Sequence, residues 1–465
     1  MKTFYILMIT ALLGAGCNKF DSDINRNTNL PDQASGTQLL ANAMLSLPGL
    51  SSSPQGEFYA QYLSETQYPG GSLYPDGGTS FYSLYQGPLM NIEAVLRSQD
   101  LSTLEGPIAN QLAVARIMKA YFFWNITDRW GDVPFTEALK GAADFTPKYD
   151  TQEFIYDSLF KLLDEANAMI VNGAITNDIM YNGDMTKWKR FGNTVHLLMA
   201  LRLSEVNATK AAAEFNKSLT AGIMASNADN FAYRHLADVN NQNYWYGQIT
   251  GMGRDWWALS ETLVNYMQPS NDPRLPVYGR KNSTNEYKGL PFGTTVGVPN
   301  TTGFSNLGTA IYAQNAPVHL VTYAQALFAK AEAAKRGWIP GGDAEAKANY
   351  DLAIEQSVRQ WTGGTTGLAA LMGSPGIPYS AATALQQIGM QRYIHLFMHG
   401  YEAWSEWRRT GIPSNLVTPS GKAVPLRNAY PANETFNNAD NYRDAVQRQF
   451  NGQDNLYGKV WWDKP

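Results

Sequence analysis

Glu402 and Glu406 stand four residues apart in the run Glu402-Ala403-Trp404-Ser405-Glu406-Trp407-Arg408-Arg409. On a helix this spacing puts both carboxyls on one face. Two carboxyls roughly 5 Å apart are what a retaining glycosidase uses, one as nucleophile and one as acid. A surface glycan hydrolase is therefore the sharpest enzymatic reading of the chain. The surroundings favour another one. Arg408 and Arg409 adjoin the glutamates, Arg392 lies just upstream, and Trp404 and Trp407 share the segment. Guanidinium groups this close to carboxylates make a structural ion-pair network, and catalytic pairs usually come from different elements facing a cleft.

His395 and His399 also share helical spacing and could chelate a metal. Between them lie Leu396, Phe397 and Met398, with no glutamate in the H-E-x-x-H position. His196, His235 and His319 are far away in sequence. No metal site and no cofactor are expected. Gly251-Met252-Gly253-Arg254-Asp255-Trp256 imitates a dinucleotide fingerprint, but Trp256 replaces the third glycine and no strand pattern precedes it. Asn271-Asp272-Pro273-Arg274 has the chemistry of a turn. There is no nucleophile elbow and no Walker loop. With these motifs weighed, the chain reads as a binding protein rather than an enzyme.

The best binding candidates are aromatic. The 465 residues include 26 Tyr and 12 Trp, and many of these fall in segments rich in Gly, Pro and Asn. Residues 68–87 hold Tyr68, Tyr74, Tyr82 and Tyr85. Residues 240–257 hold Tyr244, Trp245, Tyr246, Trp256 and Trp257. Residues 269–315 hold Tyr287 and Tyr312. Loops this long inside a compact domain are often functional. The C–H face of a sugar ring stacks on Trp or Tyr, and its hydroxyls want polar groups at the edge. Asn241, Gln242 and Asn243 precede one aromatic run, and Arg254 and Asp255 precede the other. The expected ligand contacts are Tyr74, Tyr82, Asn243, Trp245, Tyr246, Trp256, Trp257 and Tyr312. The competing use of the same rings is to staple the loops to a scaffold.

That scaffold is helical by its periodicity. Residues 107–126 are apolar nearly all round, as in a buried helix. Asp150 with Glu153 resembles a capping box; Ile155, Leu159, Leu162, Leu163, Ala166 and Ile170 follow at helical spacing, and Asn172-Gly173 is a stop. Trp188, Phe191, Val195 and Leu198 mark another helix. Leu320, Ala324, Leu327, Ala331 and Ala334 pair across a glycine-rich turn with Ala346, Tyr350, Ala353, Ile354 and Trp361. This hairpin has about tetratricopeptide length.

Cys17 is the only cysteine, so the chain has no intrachain disulfide and no Cys-ligated zinc. Behind Met1-Lys2-Thr3, residues 4–13 are apolar apart from Thr10, too few to span a bilayer but right for a signal-peptide core. Leu13-Gly14-Ala15-Gly16-Cys17 resembles a bacterial lipobox, with Gly14 where Leu is usual. The expected organisation is a signal peptide at 1–16, a lipidated Cys17 and polar tether at 17–35, and one helical binding domain at 36–465. No other apolar run approaches a membrane span, so the lipid is the expected membrane attachment. The net charge of −4 and scattered basic residues argue against nucleic acid.

Several motifs together resemble the SusD/RagB family of Bacteroidota outer-membrane lipoproteins. They are Ala115-Arg116-Ile117-Met118-Lys119-Ala120-Tyr121-Phe122-Phe123 running on to Arg129-Trp130-Gly131-Asp132-Val133-Pro134; Trp188-Lys189-Arg190-Phe191 with Ala200-Leu201-Arg202-Leu203-Ser204; Gln391-Arg392-Tyr393-Ile394 through Gly400-Tyr401-Glu402 to Thr410-Gly411; and Lys459-Val460-Trp461-Trp462-Asp463. Asp21 and Asp23 behind Cys17 look like the acidic surface-export signal of that phylum. The resemblance implies a mainly α fold of tetratricopeptide-like helix pairs with a large irregular, loop-rich face. It also implies no catalysis. The expected role is the nutrient-binding lid of a SusC-like TonB-dependent transporter, capturing oligosaccharide, or peptide in some members, outside the outer membrane.

Overall fold

A computed structural model describes residues 34–75, 79–298 and 301–464. Cys17, the expected signal peptide, Asp21 and Asp23 lie outside the described residues, as does all of the tether except its last two positions. The all-round apolar segment forms the helix Ile108–Trp130, which buries Val114, Ile117, Met118, Phe122, Phe123 and Trp124. Each such side chain contributes about 1.5–3 kcal/mol on burial, so the helix needs neighbours on every side. Its antiparallel partner is Gln152–Met169. A second pair, Met185–Arg202 with Ala208–Ala221, packs on the first. A third, Tyr323–Lys335 with Gly342–Thr362, packs on the second, and a fourth, Ala384–His395 with Gly400–Thr410, packs on the third. The fold is the expected stack of helix pairs.

Three local details differ from expectation. The cap of Gln152–Met169 is Thr151, whose hydroxyl accepts from Phe154 N. Asp150 is occupied elsewhere: its carboxylate accepts from Phe135 N and Thr136 N across the short strand pair Val133–Pro134 and Tyr149–Asp150. That helix also ends at Met169, ahead of Asn172-Gly173. Leu320 belongs to the strand Val318–Val321, which pairs with Phe231–Tyr233. The helix behind it starts only at Tyr323, where Thr322 and Gln325 form a full capping box.

The glutamates of the fourth pair lie in a buried ionic cluster. Arg202, from the second pair, reaches Glu402 at 2.7 Å, Glu406 at 2.6 Å and Asp128, from the first pair, at 3.2 Å. Arg392 and Arg409 bind Glu406 at 2.5 and 2.6 Å, and both also bind Glu332 of the third pair. One network thus ties together all four helix pairs. Arg408, expected among the ion pairs, instead stacks on Trp404 and Trp462 and donates to the carbonyls of Leu426 and Asp128. Trp462, near the chain end, donates to Asp128.

The two glutamates experience opposite fields. Burial pushes Glu402 up to about 7, because its share of Arg202 does not offset desolvation. Burial acts on Glu406 too, but Arg409, Arg392 and Arg202 outweigh it and hold this carboxyl well below the usual range. Glu332 is held at about 2 by Arg409, Arg392 and Arg336 against the same desolvation.

The loop-rich part has its own core. Phe58, Tyr62, Trp257, Leu259, Leu263, Tyr278, Phe397 and Trp404 cluster there. It docks on the fourth pair where Gly56, in the helix Pro54–Tyr59, meets Gly400. A Cβ on Gly400 would lie 2.2 Å from the Gly56 carbonyl carbon, so neither position accepts a side chain. Glu57 closes the joint by accepting from Gly400 N at 2.8 Å.

Glu406→Gln is expected to destabilise the fold by about 3–5 kcal/mol, since it strips partners from buried guanidiniums. Glu402→Gln should cost far less, with a pH dependence of definite sign. The folded pKa of Glu402 lies above its ordinary value of 4.5, so its contribution is full below that value and lost as pH rises through about 7. Measured by urea unfolding, Glu402→Gln should gain on the wild type between pH 5 and pH 8.

Candidate ligand-binding face

The strands Leu63–Glu65 and Trp257–Leu259 pair antiparallel, with Glu65 opposite Trp257. Side chains alternate across a strand, so Trp256 and Trp257 take opposite fates. Trp257 turns into the loop-region core and is 5 % exposed. Trp256 stays half-buried, with part of its ring open to solvent. Its carbonyl accepts from both N and Oγ1 of Thr66, each at 2.8 Å. That clamp brings Tyr68 alongside: the Tyr68 and Trp256 rings meet edge to face at 4.9 Å. Tyr68 is 59 % exposed, and Met252 and Val296 also stand out into solvent. The guanidinium of Arg254 lies 5.5 Å from the Trp256 ring centre and donates to Gln248 Oε1 at 3.2 Å.

From this pair a row of rings runs inward. Trp256 to Trp257 is 6.1 Å between centroids and Trp257 to Trp245 is 5.2 Å, while Tyr244 flanks Trp245 at 5.2 Å. Trp245 ends the row at a cavity of about 190 Å³, whose other walls include Phe397, His319, Gln360 and Trp361. Sequence reasoning did not mark the last three as site residues. They come from the third helix pair and the strand before it, far from the aromatic loops in the chain. A neighbouring polar pocket of about 300 Å³ is lined by Asp255, Arg280 and Asn306.

The expected contacts are therefore divided. Trp256, Trp257 and Trp245 lie in one row. Asn243 sits at its inner end, where it staples the loop: Oδ1 accepts from Trp245 N, and Nδ2 donates to Ala316 O. Tyr246 is half-buried on the same turn. Tyr312 borders the polar pocket through Arg280, which donates to its hydroxyl and pairs with Asp255. Tyr74 is fully buried in the core, holding φ at +52° and accepting from Gln61 Nε2. Tyr82 lines a separate groove of about 560 Å³ beside Tyr85 and Phe145, and its hydroxyl donates to Glu434. Tyr68, which the sequence does not set apart from its neighbours, is the most exposed ring of the set.

The other motifs are used structurally. His395 bonds Thr322 at 2.7 Å and Ser357 at 2.9 Å, while His399 bonds the Leu320 backbone. Burial pushes both imidazoles below their usual range. Among the described residues, no group of three or more His, Cys, Asp or Glu is placed to hold a metal ion. The opening beside Glu402 holds only about 10 Å³, too small for a sugar ring to reach the carboxyls. Gly251 closes an irregular helical turn and Gly253 has a φ of +67°, with no strand before them. Asp272 and Arg274 form a buried ion pair at 2.6 Å within their turn. No helix among the described residues is long and apolar enough to cross a membrane.

Comparison with known proteins places this geometry in context. Residues 28–431 match the SusD-like family described as starch-binding and associating with the outer membrane. A solved chitin-binding protein is 30 % identical, with a TM-score of 0.80, covering 93 % of this chain and 100 % of its own. A SusD homolog from Bacteroides fragilis has the same fold at 24 % identity and a TM-score of 0.80, over 93 % of this chain and 100 % of that one. So does a chitin-binding SusD homolog from Flavobacterium johnsoniae, at 23 % identity and a TM-score of 0.77, over 92 % and 98 %. Among curated proteins, none matches.

The burial contrast along the row predicts a stability contrast. Trp257→Ala should cost about 3–5 kcal/mol, as for other buried tryptophans. Trp256→Ala and Tyr68→Ala should each stay within about 1 kcal/mol. Chemical denaturation of the three variants measures the difference.

Proposed function

The chain belongs to the SusD-like family, and from that premise we propose that it is a cell-surface lipoprotein that captures oligosaccharide and delivers it to a SusC-like TonB-dependent transporter. The observation that carries the sugar reading is the exposed Tyr68 ring set against the half-buried Trp256. The half-buried Trp256 indole keeps part of its surface open to solvent, and the exposed Tyr68 ring at its edge extends that apolar surface. The C–H face of a pyranose fits that surface, and Arg254, over the Trp256 ring and hydrogen-bonded to Gln248, offers a polar group to its hydroxyls. The named relatives take polymers of glucose-type rings, starch by the family description and chitin by two solved structures.

In this reading Cys17 carries the lipid, residues up to 35 tether the domain, and the lipid holds the protein at the outer membrane facing outward. Several acyl chains, each worth about 0.8 kcal/mol per buried CH₂, would hold it firmly. The helix stack is the rigid body that a transporter can open and close as a unit. The commitment of Glu402 and Glu406 to the ionic cluster supports a reading in which the glycan is bound without being cut.

Isothermal titration against starch-type, chitin-type and other oligosaccharides, with peptides alongside, tests the ligand class. At least one glycan should bind, and Trp256→Ala should weaken it about tenfold or more, the loss of one stacked ring. Binding of peptides with no glycan bound would overturn the sugar reading. Extraction from native membranes should recover a barrel-sized partner; a chain that always runs alone would contradict delivery to a transporter.

A further inference from the structure

We propose that the end of the first helix pair at which the chain enters the domain rests on the lipid surface, so that the folded domain touches the membrane directly. This rests on the lipid at Cys17 proposed above. Two loops make this end: residues 101–107, leading into the helix Ile108–Trp130, and residues 170–176, leaving the helix Gln152–Met169. They are locked together. Glu105 O accepts from Thr176 N at 3.0 Å, and a Cβ on Gly106 would lie 2.2 Å from Ala174 O. Asn110 bonds Val171 both ways, its Oδ1 accepting from Val171 N and its Nδ2 donating to Val171 O, each at 2.9 Å.

Four aliphatic side chains stand out of this locked end. Leu104 is 92 % exposed, Val171 49 %, Ile179 43 % and Ile108 37 %. Scattered exposed aliphatics are ordinary, but several gathered at one end of a helix pair point to a contact. The chemistry here is one-sided. Residues 101–110 and 170–180 contain no Lys, Arg, Tyr or Trp. Their two acids are engaged: Glu105 Oε2 accepts from Thr37 N at 3.3 Å, and buried Asp178 accepts from Tyr181 N, Gly183 N and Trp188 Nε1. Only Asp100, just outside these segments, adds an exposed charge. Protein interfaces draw their binding energy from Trp, Tyr and Arg and under-use Leu and Val. A bare aliphatic surface suits the headgroup and acyl boundary of a bilayer, where binding scales with the apolar area buried. The far end of the pair, about 35 Å along the 23-residue helix, differs: its exposed apolar side chains are the aromatic Phe145 and Phe436.

The path of the chain brings lipid to this end. The first described stretch enters between the two loops. Ser35 caps the helix Gly36–Met44. Thr37 Oγ1 lies 3.2 Å from Thr176 Oγ1 and accepts from Asn177 Nδ2 at 2.8 Å. A Cβ on Gly36 would lie 2.5 Å from Leu101 Cδ2. Residues 17–33 separate Cys17 from this point, and a chain of that length spans at most about 60 Å. An anchor at Cys17 therefore holds the domain by the end that carries the aliphatic cluster. Seating that cluster in lipid also sets an orientation: Ile108–Trp130 runs away from the membrane, and the Phe145 end faces outward.

The test uses the full lipidated chain with one added thiol, Leu104→Cys or Phe436→Cys, in vesicles of phosphatidylethanolamine and phosphatidylglycerol. Lipid blocks the Cys17 sulfur, so a nitroxide attaches at the added thiol alone. Its collisions with oxygen, which concentrates in the bilayer, and with a water-soluble nickel chelate are read by electron paramagnetic resonance. The ratio of oxygen to nickel accessibility should be several-fold higher at position 104 than at 436. Val171→Asp with Ile179→Asp, added to the Leu104→Cys chain, should lower it towards the value at 436, with thermal unfolding as the control for folding. Equal ratios at the two positions, in a chain that still floats with the vesicles, overturn the membrane contact and leave the anchor standing. A label at 104 shielded from both reagents means that residues 18–33 cover this end, and overturns the contact too. So does a label open to nickel in vesicles but shielded in native outer membranes, which places a protein partner there. A chain that does not float with the vesicles overturns the anchor and the contact together.

Discussion

Arg202 is the side chain on which the architecture turns. It is wholly buried on the second helix pair and holds Asp128, Glu402 and Glu406 from two others. Through Glu406 the cluster continues to Arg392, Arg409 and Glu332. Removing this many charges from water is expensive, and a buried pair adds little net stability over a well-packed apolar one. What such a cluster supplies is register. Each helix pair has one position at which its charge meets its partners, and a slipped pair would leave a bare charge in the core. The field is uneven by design of the geometry: Glu406 takes three guanidiniums and stays ionised, while Glu402 takes one and titrates near neutrality.

That rigid stack lets the loop region spend its aromatic residues in two ways. Trp257, Trp245 and Tyr74 fill a second core and fasten long loops to the helices. Trp256 and Tyr68 are left outside, held in place by the clamp between Thr66 and the Trp256 carbonyl. The proposed binding face is therefore built on backbone fastened by the packed rings beneath it. Preorganisation of this kind lowers the entropic cost of binding.

Much of the scaffold is legible in the chain, because a helix writes its burial every three or four residues. Ile117, Phe122, Trp188 and Tyr350 all stand where periodicity puts them. Leu320 shows the limit: a four-residue strand in front of a helix shares its apolar character, and only the cap at Thr322 separates the two. That Glu402 and Glu406 are structural was readable from their neighbours, but Arg202 and Glu332 lie too far away in sequence to be named as partners. The face is less legible still. Trp256 and Trp257 are adjacent and alike, and which one turns outward depends on the register of a three-residue strand pair. Nothing local encodes that register. His319 and Gln360 lie outside the aromatic loops altogether and reach the cavity only through the packing of the third pair.

The account stands or falls on where a glycan sits. A crystal structure of the chain soaked with an oligosaccharide that binds it in solution tests this directly. The account predicts a pyranose stacked on Trp256 beside Tyr68, with its hydroxyls reaching Arg254. A sugar found instead in the groove beside Tyr82 and Phe145, with the Trp256 face bare, would contradict it.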